Sequence, residues 1–227
     1  MDTSQLVRDN DGPLRDPLSS RMPNLSPSKI VCVGRNYAAH AKELGNDVPT
    51  SPLLFLKPPS SIIRDGESIR LPTVSKQVEY EGEIGVVIGK RLRKAGIELA
   101  REAMAGIVAA NDVTARDLQK SDGQWTRAKG FDTFCALGPV GAVPADLSAL
   151  TLTTRVNGSV RQRGRASDMM FGIPAVLSFV SGIMTLEPGD LVLTGTPEGV
   201  GTLAPGDGVE VEIAGVSRVS NPVTSDE

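Results

Sequence analysis

The chain has 227 residues, 40% of them hydrophobic and 22% charged, with a formal net charge of −3, the composition of a soluble globular protein with one large domain or one domain and a small appendage. That charge provides no bulk positive field to recruit nucleic acid or an anionic membrane, and no apolar run approaches the ~18 residues of a membrane span. One histidine and two isolated cysteines, Cys32 and Cys135, exclude a cysteine-based zinc site and a His-rich metal site, and argue against a disulfide framework. Residues 1–28 read as a short irregular arm, because Pro13, Pro17, Pro23 and Pro27 break any helix there. The arm has no apolar signal-peptide core, so a cytoplasmic protein is expected. Residues 29–227 are expected to form a single catalytic domain.

The body opens with "KIVCVG" (29–34), a short buried strand. "NYAAHAKELG" (36–45) predicts a short helix capped by Asn36 and ended by Gly45. "LLFLKP" is a strand stopped by Pro58, and "VEYEGEIGVVIGK" (78–90) one long strand. The basic run from Lys90 to Lys94 reads as a solvated strand end or turn. "IELAREAMAG" is the clearest amphipathic helix, and "IVAANDVTARDLQ" a strand that becomes a helix near Thr114. "LTTRVNGSVRQ" is a hairpin with Asn157-Gly158 in a turn that demands positive φ. "GIPAVLSFVSGIM" is a helix with Pro174 in its first turn, and the segment from Gly189 to Val216 is strand, glycine-rich loop and strand. Strands outnumber helices without βαβ alternation, which predicts a β-rich, mostly antiparallel α+β fold.

In "VEYEGEIGVV", Glu79, Glu81 and Glu83 share one strand face by alternation. Neighbours on that face are about 6.7 Å apart and repel by about 2.5 kcal/mol at an effective dielectric of about 20. The plain reading leaves them in water. Yet "GVVIG" is apolar on both faces and marks a central strand, and glutamates entering a core need a cation. Asp112 ends the strand "GIVAAND"; it is either the cap of the next helix or a ligand at a strand end. Two glutamates and an aspartate form an all-oxygen set suited to Mg²⁺ or Mn²⁺. "TGTPEGVGT" suits either an anion nest or a plain turn, and matches neither nucleotide-binding glycine motif. Lys129 in "WTRAKGFDT" is a substrate contact or a solvated lysine. His40, followed three residues later by Glu43, is a base with its orienting partner or a solvated surface histidine.

The segments "GRNYAAHAKELG", "EYEGEIGVVIGK", "NDVTARDLQ", "WTRAKGFDT" and "LTGTPEGVG", in this order over residues 29–219, resemble the fumarylacetoacetate hydrolase family. The similarity is greatest to its short acylpyruvase and oxaloacetate decarboxylase branch, which includes hydroxyhepta-diene-dioate isomerases. The resemblance implies a mixed β-roll with the active site at its mouth, in a homodimer. It implies Glu81, Glu83 and Asp112 as ligands for Mg²⁺ (or Mn²⁺), and His40 with Glu43 as a water-activating pair on a lid helix. Lys129, Gln119 and Thr196 would contact a small 2-oxo or 2,4-dioxo acid, with Arg35 near the lid. The expected reaction is hydrolysis of a carbon–carbon bond in an acylpyruvate. The substrate would chelate the metal, which stabilises the enolate as a Lewis acid, while Lys129 and the 195–201 loop add charge and hydrogen bonds. Decarboxylation of oxaloacetate and isomerisation of a hydroxylated dienedioate are the alternatives within the family. A catalytically silent metal-binding protein is the alternative outside it.

Overall fold

The computed structural model describes residues 26–43, 45 and 49–226; most of the predicted arm, residues 1–25, lies outside the described residues. β1 (Ile30–Gly34) leads into the short helix α1 (Ala38–Glu43), whose end is marked by Gly45 at φ +68°. β2 (Leu53–Lys57) stops before Pro58, as predicted, and is followed by β3 (Ile62–Arg64) and β4 (Ile69–Leu71). β5 (Val78–Tyr80) and β6 (Gly82–Ile88) precede α2 (Ile97–Glu102) and the long β7 (Met104–Asp112). Next come β8 (Thr114–Ala115), α3 (Arg116–Asp122), α4 (Thr126–Gly130) and β9 (Cys135–Leu137). β10 (Thr151–Val156) and β11 (Ser159–Arg165) form the predicted hairpin, with Asn157 and Gly158 both at positive φ. α5 (Ile173–Ile183), with Pro in its first turn, precedes β12 (Leu191–Leu193), β13 (Gly201–Thr202), β14 (Gly208–Ile213) and β15 (Ser217–Ser225).

Among the described residues the strands make three sheets. A seven-stranded sheet runs β2-β1-β12-β6-β7-β9-β3, a five-stranded sheet β11-β10-β14-β15-β4, and a small one β13-β5-β8. Pairing is antiparallel except at β1–β12, β3–β9 and β4–β15. The larger sheet is curled. Cys32 of β1 and Cys135 of β9 belong to one buried cluster with Val87, Val108 and Leu193, although three strands separate β1 from β9 in the sheet. Its other face, with Ile84, Val86 and Ile107, packs against Leu152, Val211 and Val219 of the five-stranded sheet. Every residue of β6 is buried, as expected of a central strand. No helix among the described residues is long and apolar enough to cross a membrane.

Three local expectations are corrected. The predicted single strand 78–90 breaks at Glu81, and its halves enter different sheets. At the break the Glu81 N–H donates to Asn111 Oδ1 (2.9 Å) and the Gly82 N–H to Gln162 Oε1 (3.0 Å). Side-chain amides thus replace ladder partners where the chain crosses between sheets. The helix predicted over "IELAREAMAG" stops after six residues, because Met104 already pairs with Ile88 in the sheet. Asn36 does not serve as the expected helix cap. Its Nδ2 donates to Phe171 O (3.0 Å) and Thr194 O (2.8 Å), and its Oδ1 accepts the Phe171 N–H (2.8 Å).

Gly82 sits at the crossing, and a Cβ there would overlap Thr154 Oγ1. Thr154 is fully buried, and its Cβ also stands within 3.3 Å of the added atom, so rotating the hydroxyl away does not clear the whole side chain. Gly82→Ala is therefore expected to destabilise the fold by about 1–3 kcal/mol, read from the denaturant midpoint against wild type.

Candidate active site and metal centre

β6 begins where its antiparallel neighbour β7 ends: Gly82 pairs with Asn111 and Glu83 with Ala110. This register brings Glu81 and Glu83 beside Asp112. All three are buried, and each offers an oxygen within 4.8 Å of the others. At that separation each charged pair repels by about 3.5 kcal/mol at an effective dielectric of about 20. The plain reading of a solvated acidic face is therefore corrected: the glutamates are 2–6% exposed. Asp112 is not a helix cap either. α3 starts after Ala115, without a side-chain cap.

Cations answer part of this charge. Lys129 Nζ donates to Glu81 Oε2 (2.7 Å) and Asp112 Oδ2 (2.8 Å), and Lys57 Nζ to Asp112 Oδ1 (2.7 Å). The Arg116 guanidinium donates to Glu79 Oε2 (2.7 Å), to Glu81 Oε1 and to Gln119 Oε1 (2.6 Å). Among the described residues four carboxylates (Glu79, Glu81, Glu83, Asp112) thus face three cations (Lys57, Arg116, Lys129). The deficit falls on Glu83, which accepts a backbone N–H from Gly195 at 2.7 Å. Burial, and then the charges of Asp112 and Glu81, push its carboxyl well above the usual carboxylate range. Burial would also raise Glu81, but Lys129 and Arg116 outweigh it and hold that carboxyl well below the usual range. Three convergent hard oxygen donors with one uncompensated negative charge fit a divalent cation such as Mg²⁺ or Mn²⁺, and not a soft metal.

The triad opens onto a cavity of about 230 Å³, also lined by Arg35, His40, Gln119, Lys129 and Thr196. Eight of the nine residues singled out from the sequence therefore face one pocket. The ninth, Glu43, stands behind His40: its Oε2 lies 3.1 Å from His40 Nδ1, and its Oε1 accepts the Gly199 N–H at 3.0 Å. His40 is 4% exposed, so it is no solvated surface histidine. With Nδ1 turned to Glu43, Nε2 is the ring nitrogen left for chemistry. Arg35 adopts φ +58° where β1 turns toward α1. Thr196 Oγ1 donates to Gly82 O (2.8 Å), so it braces the acidic segment as well as lining the cavity. The glycine-rich loop is neither a free anion nest nor a plain turn, since its N–H groups bind the protein's own Glu83 and Glu43.

Lys57, Arg116, Gln162, Phe55 and Trp125 belong to the site or its support without being marked for it by any sequence motif. A lysine closing an otherwise apolar strand, in "LLFLKP", was the available signal for Lys57. Arg116 lay unassigned inside the motif "VTARDLQ". Phe55 and Trp125 form an edge-on aromatic pair with centroids 5.2 Å apart on the cavity wall. Nothing local in the sequence marks that pairing.

A family model described as "Fumarylacetoacetate (FAA) hydrolase C-terminal" matches residues 29–224. The chain is 46% identical over 198 residues to the mitochondrial oxaloacetate tautomerase of Arabidopsis thaliana, covering 85% of this chain and 89% of that one. It is 43% identical over 197 residues to the mitochondrial oxaloacetate decarboxylase of Dictyostelium discoideum, covering 83% and 89% respectively. Among solved structures, the 5-carboxymethyl-2-hydroxymuconate delta-isomerase from Mycobacterium smegmatis matches with a TM-score of 0.83 at 46% identity, over 89% of this chain and 80% of that one.

Proposed function

This chain belongs to the fumarylacetoacetate hydrolase family, and from that membership we propose an enzyme of small 2-oxo acids, with oxaloacetate as its first substrate. The proposed reactions are keto–enol tautomerisation and decarboxylation at the carbon beside the keto group. The observation that carries this reading is the convergence of Glu81, Glu83 and Asp112 with one base, His40, in a single small cavity. The relatives named for oxaloacetate direct the choice of substrate.

A divalent cation held by Glu81, Glu83 and Asp112 would supply Lewis-acid polarisation of the substrate's 2-oxo group. The rest is the work of this chain's side chains. Lys57 and Arg116 stay paired to Asp112, Glu79 and Glu81, and keep the carboxylates from splaying apart. Lys129, held by Glu81 and Asp112, presents its ammonium at the cavity wall, where it offsets negative charge growing on the substrate's keto oxygen. His40 Nε2 takes the proton from the carbon next to the keto group. The C–H electron pair becomes the carbon–carbon double bond, and the carbonyl π pair moves onto the oxygen, which takes a proton from water to give the enol. The imidazolium returns its proton to the hydroxide left behind. Glu43 stabilises the imidazolium that forms meanwhile. In decarboxylation the carbon–carboxylate bond supplies that electron pair instead, CO₂ leaves, and the carbon is then protonated.

Hydrolysis of an acylpyruvate is the second reading, and the pairing of buried His40 with Glu43 favours it, since the same base suits activation of water at a distal carbonyl. The test is a substrate panel with Mg²⁺ present: decay of the enol band of oxaloacetate, release of pyruvate from oxaloacetate, and cleavage of several acylpyruvates. Oxaloacetate turnover supports the first reading. Acylpyruvate cleavage without any effect on oxaloacetate would put the second in its place.

We further propose a homodimer. Leu53 and Leu56 are 38% and 48% exposed on β2, an edge strand of the seven-stranded sheet. A sheet edge with apolar side chains is a surface that proteins usually cover. Light scattering is expected to give about twice the 23.9 kDa chain mass; a monomer at all concentrations would refute this.

A further inference from the structure

β11 is an edge strand whose residues are exposed or half-exposed, with one exception: Gln162 is 1% exposed. A burial so isolated has a local cause. The pairing of β10 with β11 slips between Thr154 and Arg155, so that Thr154 faces Gln162 while Arg155 faces Val160. Arg161 is the extra residue of a bulge, a device that re-aims a neighbouring side chain and is common beside active sites.

The re-aimed amide makes three hydrogen bonds, all in one place. Its Oε1 accepts the Gly82 N–H (3.0 Å), and its Nε2 donates to Thr196 Oγ1 (2.8 Å) and Pro197 O (2.8 Å). Thr196 Oγ1 donates in turn to Gly82 O (2.8 Å), which closes a ring of three residues. Gly82 is the residue between Glu81 and Glu83. The same bulge touches the loop a second time: a Cβ on Gly199 would overlap Arg161 O, and Gly199 sits at φ +95°. Gly199 is held from its other side by the Tyr80 hydroxyl, which donates to its carbonyl (2.9 Å), and its own N–H holds Glu43 (3.0 Å). At the other end of the loop, the Gly195 N–H holds Glu83 (2.7 Å).

We propose that Gln162 is a positioning residue: it locks the backbone between Glu81 and Glu83 to the 195–199 loop, so that the cation cradle and the His40–Glu43 pair are set by one rigid unit. The inference rests on the metal reading above. Outer partners that orient ligands typically change metal affinity by 10–100-fold when removed, and a residue that also steadies Glu43 couples the cradle to the base.

The test is calorimetric titration of the protein with Mn²⁺ alone, without substrate. Gln162→Met keeps the volume and removes all three hydrogen bonds, and is expected to weaken Mn²⁺ binding by about 10–100-fold. Val211→Ala, in the strand paired to Thr154, is the control for mere destabilisation: it lowers the melting temperature and leaves Mn²⁺ affinity within about threefold. Should Gln162→Met not fold, Gln162→Glu retains the acceptor for Gly82, loses the two donors, and carries the same measurement. In the coupling arm, Glu43→Gln is expected to change Mn²⁺ affinity in the wild-type background and to have less effect once Gln162 is replaced. Wild-type affinity in the Gln162 variants, with the wild type binding Mn²⁺, overturns this proposal alone. A wild-type protein that binds no Mn²⁺ overturns the metal reading beneath it.

Discussion

Glu83→Gln is expected to lower metal-dependent turnover of oxaloacetate by about three orders of magnitude, because Lewis-acid stabilisation is worth several kcal/mol and each 1.4 kcal/mol is about tenfold in rate. The substitution keeps the shape of the side chain and removes one charge. Three carboxylates would then face the three cations Lys57, Arg116 and Lys129, and the cradle would lose its electrostatic demand for a further cation. Chelation of the wild type should have the same effect, reversed by Mg²⁺ or Mn²⁺. Stability should move the other way. Burial and the neighbouring Asp112 and Glu81 hold the Glu83 carboxyl above its ordinary range, so its ionisation opposes folding when no cation is bound. In chelator near neutral pH, Glu83→Gln should therefore melt at or above the wild-type temperature. In chelator, the Glu83 contribution should grow as pH falls from its raised native range to the ordinary carboxylate range, because the native state holds that proton more tightly than the unfolded chain. Below that range, protonation of Glu81, held low in the native state, takes stability away. Full turnover in excess chelator would remove the metal from the mechanism. Loss of activity accompanied by a large drop in melting temperature would mean that Glu83→Gln had damaged the fold instead.

His40→Ala is expected to separate the candidate reactions. Tautomerisation needs a base for a carbon-bound proton, and acylpyruvate hydrolysis needs one for water. Both should fall by about 10²–10⁴ in kcat/KM. Decarboxylation breaks a carbon–carbon bond without removing a proton first, so it should fall less, through lost packing at the mouth of the cavity. Glu43→Gln should follow the same order with smaller losses, because its one amide oxygen can still accept from one of the two partners, His40 or Gly199, which Glu43 holds with separate oxygens. The measurement is kcat/KM for the three reactions at saturating Mg²⁺. Equal losses on all three would show that the pair acts as a clamp between α1 and the 195–199 loop and not as a base.

Much of this protein is written locally in its sequence. The Asn157-Gly158 turn follows from two residues that tolerate positive φ, α5 from an apolar run with Pro174 in its first turn, and the end of β2 from Pro58. The strand-rich, mostly antiparallel fold follows from the same local rules. Nine residues of the candidate site, spread from Arg35 to Thr196, are legible through motifs that resemble a known family, whereas Lys57, Arg116, Phe55 and Trp125 are not. Alternation could not say whether the face bearing Glu79, Glu81 and Glu83 meets water or protein, because that depends on what lies opposite. What lies opposite is Arg116, 35–37 residues on, and Lys129, 48 residues beyond Glu81. The break in the strand at Glu81 required amides from Asn111 and Gln162, 30 and 80 residues away. Asn36 gave up its helix cap for Phe171 and Thr194, 135 and 158 residues away. The physical reason is one of range. Backbone preference is set by a residue and its immediate neighbours, whereas countercharges and hydrogen-bond partners for buried groups come from whichever segments the closed sheets bring within 3 Å. The sequence therefore determined which carboxylates and which base this protein carries; only the tertiary structure buried them together and left their charge one cation short.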